Sequence, residues 1–118
     1  MNRLCLVWLF LILVPLLISC SSPEAKKAKH FKRGEEYLEK DKIREAIIEY
    51  KNALQIDPKD AQAHYRLGLA HLKIGDLVNL KEAFAEMNRS VEIDPAIMDA
   101  HLKIGTLYLL SREYDKAI

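Results

Sequence analysis

The sequence predicts an all-α protein, an α-solenoid of stacked antiparallel helix hairpins. The first observation is a recurring frame of small, large and small residues closed by proline: Ala46, Tyr50, Ala53 and Pro58, then Ala83, Met87, Ser90 and Pro95, with a third frame beginning at Ala117. The second is a glycine within an apolar run ahead of each frame, at Gly34, Gly68 and Gly105. Repetition at a period of about 35 residues is typical of stacked helical hairpins. Neither strand-like alternation nor a hairpin-turn dipeptide competes with this pattern.

Helical periodicity begins near Glu24 and continues to the end of the sequence. Asp57 and Asp94 should each end a helix, because the proline that follows pushes the preceding residue out of the helical conformation. Gly75 is expected to cap the helix before it. We therefore expect helices over about 24–40, 42–56, 60–74, 80–93 and 96–110, and a sixth that begins near Arg112.

The spacing between glycines grows from 34 to 37 residues, so the middle unit carries three extra residues in the turn between its helices. We place them at Asp76, Leu77 and Val78. Asn79 would then cap the next helix and Glu82 would complete a capping-box-like pair. The alternative is an extra helical turn that starts at Asp76. Variation in loop length is the ordinary explanation, and we favour it.

Composition narrows the possible partners. The chain has 118 residues, 18 of them basic and 17 acidic, which suits one small domain. The near-zero net charge argues against nucleic acid as a partner, because binding phosphates requires a basic surplus on one face. A basic segment does stand out near the start: Lys26, Lys27, Lys29, Lys32 and Arg33. These side chains could contact anionic lipid headgroups, although a solvated helix face is the commoner explanation.

The first twenty residues have the pattern of a secretory signal peptide. Arg3 supplies a positive start, and residues 4–18 are almost wholly apolar. This apolar segment is shorter than the roughly 20 residues that a membrane-spanning helix needs. It ends in Leu-Ile-Ser-Cys at Cys20, which resembles the lipobox of bacterial lipoproteins. An uncleaved membrane helix with an incidental cysteine is the alternative.

The lipobox resemblance implies that residues 1–19 are a signal peptide and that Cys20 becomes an acylated N-terminus. Residues 20–26 would then form a lipidated cysteine and a short tether. Cys5 would leave with the signal, so no thiol would remain for a disulfide. Ser21 stands where an inner-membrane retention signal often has aspartate. By resemblance to that sorting rule we expect lipid anchoring in the bacterial cell envelope, with the outer membrane favoured and the domain facing the periplasm.

The repeated units resemble the tetratricopeptide repeat. The middle unit has His64, Leu67, Gly68 and His71 ahead of its frame, and the last has His101, Ile104, Gly105 and Tyr108. The resemblance implies three repeats, over 27–60, 61–97 and 98–118. The second contains the three-residue insertion and the third is truncated, so we expect the chain to be an N-terminal piece of a longer protein. Small residues in such repeats allow close helix approach, and the packing positions would be Gly34, Ala46, Tyr50, Ala53, Pro58, Gly68, Ala83, Met87, Ser90, Pro95, Gly105, Tyr108 and Ala117.

Motifs for catalysis or for binding metals and phosphates are absent from the sequence. Three histidines, His30, His64 and His101, recur four residues before each glycine, and we interpret them as packing residues rather than metal ligands. The serines do not lie in a nucleophile-elbow motif, and the glycines are scattered singly. We therefore expect no enzyme activity, no cofactor and no small-molecule substrate.

The resemblance also implies a concave groove lined by the first helix of each repeat. Its lining would be Ala28, Phe31, Glu35 and Leu38, then Gln62, Tyr65, Leu69 and Leu72, then Asp99, Leu102, Thr106 and Leu109. The apolar and aromatic members suit an apolar peptide segment or an amphipathic helix of a partner protein. The lysines and asparagines with which chaperone-binding members grip a carboxylate are missing. An N-terminal helix or downstream repeats could fill the groove instead.

These observations together predict a lipid-anchored, non-enzymatic scaffold for protein–protein interaction at a membrane face. Its lipobox, short tether and the segment Tyr50-Lys51-Asn52-Ala53-Leu54 are most similar to repeat lipoproteins of PEP-CTERM and exopolysaccharide systems. An alternative is that the repeats form the N-terminal adaptor of a longer enzyme, whose catalytic domain would lie beyond Ile118.

Overall fold

A computed structural model describes residues 21–117, which form five α-helices and no strand. The predicted all-α hairpin fold is confirmed within this range. The predicted signal peptide and Cys20 lie outside the described residues. Each helix packs against the next one along the chain. The helices are α1 (Pro23–Glu39), α2 (Ile43–Ile56), α3 (Ala61–Ile74), α4 (Leu77–Ile93) and α5 (Met98–Ala117).

The helix ends follow from local chemistry. Ser22 caps α1 through its side chain, which accepts a hydrogen bond from the Ala25 N–H at 3.2 Å, and Pro23 opens the helix. Asp60 caps α3 in the same way, accepting from the Ala63 N–H at 3.0 Å. Gly75 ends α3 in the left-handed conformation, with φ of 76°, which only glycine adopts without steric cost. Asp57 has extended backbone just after α2, as expected for a residue before proline.

The three-residue insertion forms an extra helical turn, so its predicted placement in a loop is wrong. Asp76 caps α4 by accepting a hydrogen bond from the Asn79 N–H at 2.9 Å, and Leu77 is the first helical residue. Asn79 is not the cap. Its amide donates to the other Asp76 carboxylate oxygen at 2.8 Å, and its carbonyl oxygen accepts from His71 Nδ1 at 2.7 Å. These contacts favour the alternative in which the helix starts at Asp76.

The last helix also differs from the prediction. We expected a break between a fifth and a sixth helix near Arg112, whereas α5 continues from Met98 to Ala117. Residues 106–117 contain neither glycine nor proline, so the segment has no strong helix breaker. The Ser111 hydroxyl donates to the Tyr108 carbonyl at 2.9 Å, which leaves the helix intact. In this continuous helix Tyr108 and Leu109 are each 67% exposed.

Two hydrophobic clusters hold the helices together. The first joins the α1–α2 hairpin to α3 around Ala46, Ile47, Tyr50, Leu67 and Ala70. The second joins α4 to α5 around Ala83, Met87 and Leu107, with Leu69 and Leu72 of α3 packed against it. Burial of these side chains is the main source of stability, at about 25 cal/mol per Å² of apolar surface.

The predicted packing residues divide into two groups. A Cβ atom on Gly34 would lie 2.6 Å from the Tyr50 ring, and one on Gly68 would lie 2.9 Å from Met87 Cγ, so both glycines permit close helix approach. Gly105 has no neighbouring atom within 4 Å of such a Cβ. It therefore does not act as a packing glycine among the described residues, and exposed Tyr108 does not pack as a core residue. The physical reason is that α5 is continuous, so within residues 21–117 no later helix folds back on Gly105, and Tyr108 meets the Phe84 ring of α4 at the surface, with ring centroids 6.1 Å apart. The side chain of Ala117 lies outside the described part.

Histidine–glutamate hydrogen bonds join the two helices of the α1–α2 hairpin and of the α3–α4 hairpin. His30 Nδ1 lies 2.6 Å from Glu49 Oε2, and His64 Nδ1 lies 2.6 Å from Glu86 Oε2. Both glutamates are only 6% exposed, so the bonds replace water that burial removes. His64 Nε2 also donates to the Pro58 carbonyl at 2.8 Å, which joins α3 to the preceding turn. The predicted packing role thus takes the form of specific hydrogen bonds, and no metal-binding cluster exists within residues 21–117.

Candidate functional site

A cavity of about 540 Å³ opens across α1, α3 and α5, and we call it the groove. These three helices are the first members of successive hairpins, so their side chains line one continuous side of the array. The cavity combines three leucines with five charged side chains. Its lining residues are Glu35, Leu38, Glu39, Arg66, Leu69, Leu72, Lys73 and Lys103.

The leucines form an apolar floor. Leu38 comes from α1 and packs against the first hydrophobic cluster. Leu69 and Leu72 come from α3 and pack against the second cluster. All three are partly exposed, and the core beneath them restricts their movement. The floor is therefore a preformed apolar surface, which lowers the ordering cost of binding an apolar side chain.

Charged residues form the rim, and they are separated by sign. Glu35 and Glu39 lie on α1, whereas Arg66 and Lys73 lie on α3 and Lys103 lies on α5. Arg66 Nε is 3.4 Å from Glu35 Oε1, so these two charges partly compensate. Lys73 and Lys103 are exposed and pair with no carboxylate among the described residues. The α3 and α5 side of the rim is thus basic.

A buried polar atom lies at the junction of floor and rim. Arg66 Nε is shielded from solvent and makes no hydrogen bond with good geometry among the described residues. Its neighbour Glu35 accepts a hydrogen bond from the Tyr50 hydroxyl. Burial and this carboxylate both raise the pKa of Tyr50, so the phenol stays protonated and donates. Glu35 is consequently held in place from two sides.

Four of the twelve predicted groove residues line the cavity: Glu35, Leu38, Leu69 and Leu72. Phe31 does not: it packs edge-on to Tyr50, with ring centroids 5.7 Å apart. Tyr65 is half-buried outside the cavity, and burial together with the charge of Asp99 raises the pKa of its phenol. Exposed Leu102, Thr106 and Leu109 also lie outside it, on α5. The Thr106 hydroxyl donates to the Leu102 carbonyl at 3.0 Å, as a helix side chain often does.

The cavity therefore has a leucine floor and a charged rim, whereas the lining predicted from the sequence is largely apolar and aromatic. Sequence reasoning missed Arg66, Lys73 and Lys103. A signal was available, because a basic residue lies two positions before each of the four glycines, at Lys32, Arg66, Lys73 and Lys103. That position lies one residue from a predicted lining position, and only the packing of the helices shows that it faces the cavity.

A second cavity, of about 440 Å³, lies between α4 and α5. Its lining is mainly apolar and comprises Leu77, Leu80, Lys81, Phe84, Leu107, Tyr108, Leu110, Ser111 and Asp115. The extra turn of α4 supplies Leu77, which is 55% exposed. Helix α5 supplies Tyr108 and Leu110.

No helix within residues 21–117 combines the length and apolarity needed to cross a membrane.

Comparisons with known proteins agree with this architecture. A family model described as TPR repeat matches residues 34–75, and one described as Tetratricopeptide repeat matches residues 61–97. Among solved structures, the TPR2B-domain:pHsp70-complex of yeast Sti1 has a TM-score of 0.68 at 26% identity, covering 78% of this chain and 71% of that chain.

A second yeast structure, the TPR2AB-domain:pHSP90-complex of Sti1, has a TM-score of 0.69 at 27% identity. The match covers 81% of this chain and 36% of that chain, so it spans about a third of the longer protein. Comparison with curated proteins gave no match. The two family models together cover more than half of the sequence, and both structures share its helical hairpins. The chain therefore belongs to the tetratricopeptide repeat family.

Proposed function

We propose that this protein is a non-enzymatic scaffold, anchored by lipid at a bacterial membrane face, whose groove binds a segment of a partner protein. The observation that carries the binding role is the preformed floor of Leu38, Leu69 and Leu72 beside Lys73 and Lys103, which pair with no carboxylate among residues 21–117. Both similar yeast structures are complexes, with pHsp70 and pHSP90. The sequence-predicted lining positions of this chain carry no lysine or asparagine, so the leucine floor supplies the main contact.

The partner segment is an apolar peptide or an amphipathic helix. A floor of three leucines on two helices matches apolar side chains that repeat along one face of such a segment. The exposed Lys73 and Lys103 favour acidic residues beside those apolar side chains, because unpaired cations at a rim attract opposite charge and raise the association rate. Catalysis plays no part in this role.

The membrane role rests on the sequence before α1. Cys20 in its lipobox-like context supports a lipid anchor, and Ser21 favours the outer membrane over the inner one. The lipobox, the short tether and the Tyr50–Leu54 segment favour service in envelope assembly or in an exopolysaccharide or protein-sorting system. The mass of the N-terminal peptide of protein purified from membranes tests the anchor, since an acylated Cys20 carries the added mass of its acyl chains.

Site-specific photo-crosslinking in cells tests the groove. A photoreactive amino acid at Lys73 should yield a discrete partner adduct, whereas the same group at Ile48, which is 57% exposed on α2 and outside both cavities, should not. Charge reversal at the rim by Lys103→Glu should lower the adduct yield several-fold. The matched control Lys51→Glu, on exposed α2 surface, should leave the yield unchanged. Equal adducts at Lys73 and Ile48, or none at Lys73, would count against the groove.

A further inference from the structure

The basic residues near the start of the domain fall into two groups in the structure. Lys27 is held within the protein: its Nζ lies 3.0 Å from Asp57 Oδ2 and 3.2 Å from Asp60 Oδ2, in the turn between the first two hairpins. Hydrogen bonding to these carboxylates raises the pKa of Lys27. Arg33 lies 3.3 Å from the buried Glu49. Neither side chain is available to a partner without breaking an internal ion pair.

Lys26, Lys29 and Lys32 form the other group, which we call the α1 lysines. All three are exposed and none pairs with a carboxylate within the described range. At 100° per residue they occupy an arc of about 120° around α1. Gly34, which faces Tyr50 of α2, lies about 140° from Lys29 on the same helix. Lys29 and Lys32 therefore project away from the hairpin that α1 helps to form, whereas Lys26, about 80° from Gly34, lies at its side.

Charge along the sequence is segregated. Residues 21–34 contain five basic residues and a single acid, Glu24, whereas residues 35–118 contain 12 basic and 16 acidic residues. Helix α1 spans this boundary, because Glu35, Glu36 and Glu39 lie in its second half, so an anionic surface would attract mainly the first half of α1. The net charge of the whole chain is near zero, but its uneven distribution would orient the domain on an anionic surface.

The distance to the proposed anchor is short. Helix α1 begins at Pro23, so three peptide steps separate it from Cys20, and they span at most about 10 Å. This is close to the screening length of about 8 Å at physiological ionic strength. Lys26 and Lys32 are six residues apart, or about 9 Å along the helix axis. All three lysines can reach the headgroups together only if α1 lies along the surface.

We infer that the α1 lysines dock α1 lengthwise onto anionic phospholipid headgroups, as a second membrane contact beside the lipid anchor. This inference rests on the proposed anchor, which supplies the proximity. Each basic side chain near an anionic surface contributes a factor of about five. Exposed Glu36 lies within the same arc of α1 and offsets one of the three lysines, so the docked orientation is favoured by roughly 25-fold. Leu38 of the groove floor lies about 180° from Lys29 around α1, so docking through the lysines leaves the groove open to the aqueous side.

Lysine footprinting on the complete protein tests the inference. Protein purified from membranes is reconstituted in vesicles of phosphatidylcholine alone, or of an equal mixture with phosphatidylglycerol. Acetylation rates of individual lysines are then measured by mass spectrometry. Lys26, Lys29 and Lys32 should react several-fold more slowly in the anionic vesicles, and about 0.5 M NaCl should remove that protection by shortening the screening length to about 4 Å. Lys51 and Lys81, exposed on α2 and α4, should react equally in both vesicles.

Two outcomes would overturn the docked orientation: equal rates in both vesicles, or protection of Lys26 alone, which would mean that α1 stands upright. The variant Lys29→Glu/Lys32→Glu should abolish the protection of Lys26, and the matched variant Lys51→Glu/Lys81→Glu should preserve it. The same digest reports whether Cys20 carries acyl chains. Unmodified Cys20 with protected lysines would refute the anchor and retain the headgroup contact, so the two failures are distinguishable.

Discussion

Replacing Gly34 with alanine tests the packing of the first hairpin. A Cβ at this position would lie 2.6 Å from Tyr50 Cε1 and 2.9 Å from two further ring atoms. Ordinary carbon contacts are about 3.5–4.0 Å, so the ring must move by about 1 Å. Tyr50 is fully buried and packs against Phe31, and its hydroxyl donates a hydrogen bond to Glu35. These contacts restrict any such movement.

The expected magnitude follows from two opposing effects. Overpacking of a core costs about 1–3 kcal/mol. Alanine in place of glycine within a helix recovers about 0.5–1 kcal/mol. Gly34→Ala should therefore destabilise the domain by about 0.5–2 kcal/mol. Gly105→Ala is the matched control, because nothing lies within 4 Å of its added Cβ. The higher helix propensity of alanine should therefore stabilise that variant by about 0.5–1 kcal/mol.

Thermal unfolding followed by far-UV circular dichroism measures both effects. For a domain of this size, 1 kcal/mol corresponds to about 4–8 °C in Tm, so the two variants should shift Tm in opposite directions. The background Tyr50→Leu removes the ring atoms and should abolish most of the Gly34→Ala penalty. A penalty that persists in that background would refute the contact with Tyr50. Equal shifts for Gly34→Ala and Gly105→Ala would refute the distinction between the two glycines.

Two further predictions concern α4. Ser90 is fully buried and its hydroxyl donates to the Ala61 carbonyl at 2.8 Å. Ser90→Ala should therefore lower the free energy of unfolding by about 1 kcal/mol, seen as a lower urea midpoint with an unchanged slope. An unchanged midpoint would contradict the bond. Hydrogen bonding from the Asn79 N–H lowers the pKa of Asp76 below its ordinary 3.8. A lowered pKa adds stability above the unfolded value, and that stability is lost as pH falls through the folded value. The variant Asp76→Asn keeps a capping side chain but cannot ionise. Its difference in Tm from the natural protein should therefore be constant above pH 3.8 and shrink below it. A constant difference at lower pH would contradict the capping role.

Much of the fold could be predicted because repeat proteins are built from local contacts. Each hairpin packs mainly on its neighbours, so the spacing of Gly34 and Gly68 from the residues that face them defines the hairpins without any long-range information. Helix ends at Asp57 and Asp94 were equally predictable, since the restriction before proline acts within one peptide unit.

Other features depended on contacts that spacing does not encode. Asp76 and Asn79 are both good caps by residue type. Asp76 Oδ1 accepts from the Asn79 N–H and caps the helix, whereas Asn79 Oδ1 accepts from His71 Nδ1. The histidine–glutamate pairs join residues 19 and 22 positions apart. The two separations differ by the three inserted residues, so only the folded hairpins show that the two pairs are equivalent.

The groove shows the same division between sequence and structure. The sequence by itself determined that α1, α3 and α5 would present successive faces on one side of the array, and that leucines would lie among them. Only the tertiary structure decided that Arg66, Lys73 and Lys103 join those leucines while Phe31 and Tyr65 do not. The physical reason is that a side chain one position away on a helix points about 100° away, so small changes in how neighbouring helices cross determine which residues face the cavity.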